Sequence, residues 1–368
     1  MNVTGLVLAA GFGTRLKPST QYCPKPLIPV GGVEPLFHAL YQMHELGLQD
    51  VIVNAHYLHE QISAALRSWQ AFFPKMKLHL SLEMPHILGT GASIQKVLCD
   101  FPQLFEQKGL LVMNGDTLAA FDVRPLVSKL EESCFAVSYW NEHLKKYKPL
   151  WVDREGRWAG IGANAPKPGT KAAHFLGIHY LSPQHLRVLS QTLPKEIVEV
   201  DLFNGIYRPL VDKGYELQQR VIMGDSVESP YSSGLFWFDM TNIEFLLEAQ
   251  RFVMSHLTQN SWWPRLLKAR YPNIEEISPG VWVSAKERGA CRFSGPAIYV
   301  ENAGLSSSRS LGRVDLGPDA SIIFEGERLN FASSSQDPLV IKNSVVLVSR
   351  TDSGEALPKL IENDVRII

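Results

Sequence analysis

The chain has 368 residues, 45% of them apolar, and carries a formal net charge of -1 with a sequence pI near 6.8. That length allows two domains at roughly 100 to 200 residues each, and the near-neutral charge gives no electrostatic reason to expect nucleic acid or an anionic membrane as partner. Any anionic ligand must be held locally. Met1-Asn2-Val3-Thr4 runs straight into an apolar segment with no basic region before it, and no apolar run reaches membrane-span length, so a cytoplasmic protein is expected. Cys23, Cys99, Cys134 and Cys291 lie far apart without a C-x-x-C pair, which argues against a zinc knuckle or a disulfide framework. Cys23 reads as a neutral loop residue.

Thr4 to Leu8 is a short apolar run that predicts a strand, and Ala9 to Arg15 then turns small, flexible and finally cationic. Without β-carbons, Gly11 and Gly13 let backbone N–H groups approach an anion, and Arg15 adds a planar charged fork. Lys25 follows, held between Pro24 and Pro26. The string is neither a P-loop nor the G-x-G-x-x-G dinucleotide fingerprint. Leu8 to Gly11, Gly13 to Leu16, Pro18, Thr20, Pro24, Lys25, Leu27, Pro29 and Val30 together resemble the signature of the sugar-1-phosphate nucleotidyltransferases, L-A-A-G-x-G-T-R-L followed by P-K-x-L-x-P-V. The resemblance implies that Leu8, Ala10, Gly11, Gly13 and Thr14 bind a nucleotide and that Arg15 and Lys25 are catalytic.

Leu36, Leu40, Met43 and Leu46 recur at helical spacing before Gly47, and Val51 to Ala55 reads as a strand buried on both faces. Leu58, Ile62, Leu66 and Trp69 predict a second helix. His56 and His59 near its start, with Glu60, make H-x-x-H-E rather than the zincin order, and read as polar residues at a helix entrance. Lys77 to Glu83 predicts a third strand. Leu88-Gly89-Thr90-Gly91-Ala92-Ser93 then opens a helix through Ile94, Val97 and Leu98; an ordinary helix entry would need no more, but in the family a segment of this kind contacts the nucleobase, which assigns Gly89, Thr90 and Gly91 to nucleotide binding. Leu110 to Met113 predicts a strand ending in Asn114-Gly115-Asp116. A turn would serve equally well there, yet an aspartate at a central strand tip is also placed to hold a divalent cation, and in the family the matching residue is a magnesium ligand. This alternation predicts a doubly wound, Rossmann-like, mostly parallel sheet with helices on both faces and ligands at the strand carboxyl ends.

Phe135 to Tyr139, Leu150 to Val152 and His174 to Leu181 predict further strands, with a helix start at Ser182-Pro183. The glutamate of the family's E-K-P segment is missing, and Lys167 and Lys171 remain uncommitted as sugar-phosphate ligands. Residues 196–210 carry Val198, Leu202, Ile206 and Leu210 at helical spacing, with Asp201 and Asn204 on the other face. Ser233 to Thr241 resembles the family's W-x-D-[IV]-G-T string, whose aspartate is the second metal carboxylate and matches Asp239; Asn242 onward predicts a helix. From Gly280 short apolar steps separated by Gly, Asn, Ser and Asp take over, and a degenerate left-handed parallel β-helix is one arrangement they allow. No histidine follows Gly280, against an acyltransferase site there. The expected domains are a catalytic domain over 1–275 and a β-rich one over 276–368, the latter offering edges for a homo-oligomer.

The resemblance implies magnesium-dependent transfer of a nucleoside monophosphate from a nucleoside triphosphate to a sugar 1-phosphate, of the muramate, mannose or heptose 1-phosphate uridylyl- or guanylyltransferase kind. Two alternatives are a catalytically inactive nucleotide-sugar sensor or scaffold, and a transferase whose acceptor is not a sugar, such as phosphocholine. Retention of Arg15, Lys25, Asp116 and Asp239 argues against the first.

Overall fold

The computed structural model describes residues 1–194, 196–225, 235–255, 262–284, 291–293, 297–301, 314–316, 320–324, 339–342, 345–348, 360–362 and 365–367. Contacts divide the chain into two compact units, Met1–Phe12 with Ala39–Trp237, and Gly13–His38 with Phe238–Ile368.

The first unit is built on a nine-stranded sheet. Its strands are β1 (Val3–Leu8), β2 (Asp50–Ala55), β3 (Lys77–Leu82), β4 (Gly109–Asn114), β6 (Ser133–Ser138), β7 (Leu150–Val152), β8 (Trp158–Ile161), β9 (Lys171–Leu181) and β10 (Leu217–Met223); β5 (Thr117–Ala120) lies outside it. The order is β10-β6-β9-β4-β1-β2-β3, with β7 and β8 beside β9. β1 pairs parallel with β2 and β4, β2 with β3, and β6 with β10, while β9 runs antiparallel between β4 and β6. The chain thus lays β2 and β3 on one side of β1 and returns to place β4 on the other. That reversal opens a crevice at the carboxyl ends of β1 and β4.

The predicted strands form because their residues are apolar on both faces: β1 and β4 are buried at every position but the last. Around them lie α1 (Pro35–Glu45), α2 (His59–Trp69), α3 (Gly89–Asp100), α4 (Asn141–Lys146), α5 (Pro183–Thr192) and α6 (Arg208–Asp212). Ser182 caps α5 by accepting the His185 N–H, as the Ser-Pro start predicts. The helix expected over residues 196–210 begins later than its apolar spacing implies. The chain stays irregular through Val200, Asp201 accepts the N–H groups of Phe203 and Asn204, and a π-helical turn over Phe203–Tyr207 leads into α6. The apolar side chain at position 198 extends the spacing of Leu202, Ile206 and Leu210 by one turn that the backbone does not adopt.

In the second unit, three single 3-10 turns cover Thr14–Leu16, Ser19–Gln21 and Lys25–Leu27. They are followed by a tight reversal at Val30 to Val33, where the Gly31 N–H donates to Gln250 Oε1 at 2.6 Å and the Trp263 indole N–H donates to the Gly31 carbonyl at 2.9 Å. Those partners sit on α7 (Ile243–Ser255) and α8 (Trp262–Arg270). Arg270 on α8 makes a bidentate pair with Glu34, at 2.9 and 2.7 Å, with both side chains 5% exposed.

After β11 (Phe236–Asp239), β12 (Glu275–Ser278) pairs antiparallel with β13 (Val281–Ser284), and successive strands then alternate between two parallel sheets. One sheet holds β13, β15 (Ala297–Glu301), β17 (Ala320–Phe324), β19 (Val345–Val348) and β21 (Val365–Ile367). The other holds β14 (Cys291–Phe293), β16 (Val314–Leu316), β18 (Leu339–Lys342) and β20 (Leu360–Glu362). The β-rich C-terminal region is therefore a parallel coil. Its rungs are unequal: Val283, Tyr299, Ile322, Val346 and Arg366 stack at intervals of 16, 23, 24 and 20 residues. Unequal rungs erase the hexapeptide period from the sequence.

Candidate nucleotide site

In the first unit the site is built from backbone. Leu8, the last residue of β1, lies opposite Asn54 on β2 and Asn114 on β4. The Gly115 N–H donates to the Leu8 carbonyl at 2.8 Å, so the Asn114-Gly115-Asp116 turn lies directly against the start of the glycine loop. Asn54 Oδ1 accepts the Ala9 N–H at 2.6 Å and its Nδ2 donates to Glu83 Oε1 at 2.7 Å. Glu83 is fully buried and takes two more donors, the Ser93 hydroxyl at 2.5 Å and the Leu88 N–H at 2.9 Å. A carboxylate, which only accepts, is the group that three converging donors require. The network ties the first residue of the loop to the ends of β2 and β3 and to the first turn of α3. Sequence reasoning missed Asn54, Glu83 and Ser93; the signal for Asn54 is a lone amide inside the apolar run VIVNA. Phe12, 43% exposed, rests edge-on against His56 at 5.3 Å, and His56 Nδ1 meets the Glu83 carbonyl at 2.8 Å.

Gly89, Thr90 and Gly91 form the first turn of α3. They meet a segment from more than a hundred residues away. The Gly91 and Ala92 N–H groups donate to the Val200 carbonyl at 2.9 and 3.3 Å, the Val200 N–H donates to the Leu88 carbonyl at 3.0 Å, and the Leu202 N–H donates to Thr90 Oγ1 at 2.9 Å. Only glycine fits at position 91, because a β-carbon there would lie 2.3 Å from the Asp201 carbonyl oxygen. Beside it, burial pushes the Asp201 carboxyl up, but the donors from Asn204 and Phe203 outweigh this and hold it below its usual range.

In the second unit Gly13 adopts the left-handed region at φ 61°, and its carbonyl accepts the Leu16 N–H and the Thr20 hydroxyl, both at 2.9 Å. A β-carbon on Gly13 would lie 2.9 Å from Thr20 Cγ2 and 3.1 Å from Lys25 Cβ. Thr14 and Arg15 on the following turn are exposed, and Arg15 has no ion pair among the described residues. Lys25 is buried, and its Nζ lies 3.6 Å from Asp239 Oδ1, whose other oxygen accepts the Thr241 hydroxyl. The structure thus brings Asp116 to Leu8 in one unit and Lys25 to Asp239 in the other. Lys167 is exposed, and Lys171 lies 3.4 Å from Asp225 and 4.0 Å over the Tyr139 ring.

A family model described as nucleotidyl transferase matches residues 4–282. The chain belongs to that family. This nucleotidyl transferase is 24% identical to a UTP–glucose-1-phosphate uridylyltransferase of Synechocystis sp., over 91% of this chain and 86% of that one. It is 34% identical to an N-acetylmuramate alpha-1-phosphate uridylyltransferase of Caulobacter vibrioides, over 31% of this chain and 45% of that one. A crystal structure from Bacillus anthracis, described as a glucose-1-phosphate thymidylyltransferase in complex with sucrose, superposes with a TM-score of 0.53 at 18% identity. The match covers 67% of this chain and 93% of that one, and shows the shared fold. Among the described residues of the nucleotidyl transferase, no three His, Cys, Asp or Glu converge as a metal cluster, and no helix is long and apolar enough to cross a membrane. Asp116 and Asp239 are hard oxygen donors on partly exposed side chains. Such donors fit magnesium, which is commonly held by one or two carboxylates together with substrate phosphates.

Proposed function

We propose that this nucleotidyl transferase moves a nucleoside monophosphate from a nucleoside triphosphate, of uridine or guanosine, to a sugar 1-phosphate and releases pyrophosphate. The observation that carries the reading is the seating of the Asn114-Gly115-Asp116 turn on the Leu8 carbonyl at the sheet's point of strand reversal. The acceptors in the relatives' names, glucose 1-phosphate and N-acetylmuramate 1-phosphate, support it.

The acceptor phosphate is ionised at neutral pH, so the attack of its oxygen on the α-phosphorus needs no general base; the protein must align two anions and stabilise the charge that develops. In this reading Leu8, Ala10, Gly11, Gly13, Thr14, Gly89, Thr90 and Gly91 seat the nucleotide. Arg15, exposed and without an ion pair among the described residues, holds the triphosphate and the departing pyrophosphate, and Lys25 neutralises the α-phosphate side from a position fixed by Asp239. Asp116 and Asp239 are the carboxylates that would hold magnesium. Bound there, the ion would supply positive charge to the phosphate oxygens. Residues 1–275 would form the catalytic domain and 276–368 an appended β-rich domain.

The test is pyrophosphate release with Mg²⁺ from a grid of nucleoside triphosphates against hexose, N-acetylhexosamine, muramate and heptose 1-phosphates and phosphocholine, with Asp116→Asn alongside. One productive sugar 1-phosphate pair, silent in the variant, is expected. Release only with phosphocholine would replace the acceptor, and silence in every well would replace the reaction.

A further inference from the structure

The signature loop and the C-terminal coil fall in one compact unit, Gly13–His38 with Phe238–Ile368. Between Gly13 and Val33 the loop has only three single 3-10 turns, so no α-helix or strand of its own holds its shape. A segment of that kind is as rigid as what it packs against. The coil meets it at two places. Gly32, at φ 80°, is seated between α8 and β15: a β-carbon there would lie 3.0 Å from Ile298 Cγ2 and 3.1 Å from Leu267 Cδ2, and Ile298 is fully buried. Nearer the start of the loop, β21 passes within 8 Å of the Ser19–Gln21 turn, Cα to Cα. Thr20 in that turn is buried, and its hydroxyl donates to the Gly13 carbonyl at 2.9 Å, immediately before Thr14 and Arg15. Lys25 lies in the chain between the two supported points.

β15 and β21 belong to one sheet, with β17 and β19 between them. Three strand spacings of ~4.8 Å set the two supports roughly 14 Å apart. We propose that the coil is the brace of the signature loop, with Ile298 as a positioning residue: its rungs fix the separation of the two supports and, through them, the places of Arg15 and Lys25. The proposal rests on the transfer reaction above, in which those cations stabilise charge on the phosphates. Such charges are most effective when they need not move at the moment of reaction. A coil ending at β19 would leave the Ser19–Gln21 turn without its support, so the number of rungs is matched to the length of the loop.

The test uses full-length chains, each assayed well below its unfolding midpoint. Ile298→Ala should lower kcat by ~10- to 100-fold, the loss that attends a misplacement approaching 1 Å. Ile298→Val, one methyl smaller, should stay within about threefold of wild type. Leu186→Ala, at a buried position of α5 in the first unit, should lose comparable stability and keep kcat within about twofold, which separates loss of position from loss of stability. Gly32→Ala presses the loop off the same contact, and combined with Ile298→Ala it should cost less than the product of the two separate losses, as for residues in direct contact. Arg366→Pro and Ile367→Pro test the far support; they are made separately because adjacent residues of a strand turn their N–H groups to opposite sides, and the one that breaks the bond to β19 should lower kcat in the same way. In native-state amide exchange without ligand, residues 14–27 should exchange at least ~5-fold faster in Ile298→Ala, with β1 and β4 unchanged. Wild-type kcat in Ile298→Ala, losses no larger than in Leu186→Ala, or unchanged exchange in the loop would overturn the brace, and wild-type kcat in both proline variants would overturn the far support. A wild type without turnover would remove the transfer reaction, and exchange in the loop would then still decide the brace.

Discussion

The sheet-end loops of the first unit and the Gly13–Lys25 loop of the second solve different problems with the same kinds of residue. In the first, the buried carboxyl of Glu83 accepts from backbone and neutral side chains, fixing Leu88 directly and Ala9 through Asn54. In the second, one cation is buried against a carboxylate and another, Arg15, faces solvent without an ion pair among the described residues. One region stabilises a shape, and the other presents charge. Changes to the Asn54–Glu83–Ser93 network of the first should therefore register as lost stability, and changes to the exposed charge of the second as lost turnover.

The largest expected effect comes from acid, which should break the sheet unit. Burial, with the charge of Lys146 nearby, pulls His143 down to about 4; burial, with His143 nearby, pulls His174 to about 3; burial alone pulls His179 to about 3. These imidazoles stay neutral in the fold while the unfolded chain takes protons near 6.5. Their stabilisation is complete above that pH and is lost as pH falls toward 3 to 4, on the order of a few kcal/mol for each group. Denaturant midpoints measured between pH 7 and 4 should fall steadily, and His179→Gln should flatten the decline. A pH-independent midpoint would show that these rings are not buried.

The second unit contains its own buried charge, and Arg270→Leu should cost about 3–5 kcal/mol by stranding Glu34. Replacing Glu34 and Arg270 together by leucine should recover most of that loss in the same unfolding assay, because both charges then leave the interior. Next in size, Arg15→Ala and Asp116→Asn should each lower turnover by at least ~100-fold. For the exposed Arg15 the thermal midpoint should stay within ~2 °C of wild type, as for a surface substitution. Wild-type turnover in either variant would refute the roles given to them. Asn54→Ala, which orphans the Ala9 N–H and one Glu83 contact, should cost about 1–3 kcal/mol, and Ser93→Ala about 1 kcal/mol. If Asn54→Ala lowered turnover with no loss of stability, the division between shape and charge would fail.

Much of the first unit was legible because its signals are local. β1, β2, β4 and β9 announce themselves as apolar runs, and the loops after β1, before α3 and after β4 carry glycines where the backbone turns. The partners of those loops were not legible. Glu83 looks like any acidic residue at a strand end until Asn54, Ser93 and the Leu88 N–H are folded around it, and Val200 reaches Gly91 through its carbonyl, which every residue has. Arg270 and Glu34 are 236 positions apart and leave no periodic trace. The unequal rungs of the C-terminal coil hid its repeat for a similar reason: the pairing is regular in space and irregular in count.

The pairing of Lys25 with Asp239 also sets a time. Between them lie more than two hundred residues, and a ribosome adding ~5–20 residues per second needs on the order of 10–40 s to cross that interval. During that time the nascent signature loop exists without the carboxylate that pairs with its buried lysine. The first unit's parallel strands can already be assembling, since every strand of its sheet has been translated by Met223. Chains that stop before Asp239 would thus carry a formed sheet and a signature loop whose buried lysine still lacks its carboxylate, a pair completed only when about two thirds of the chain has been made.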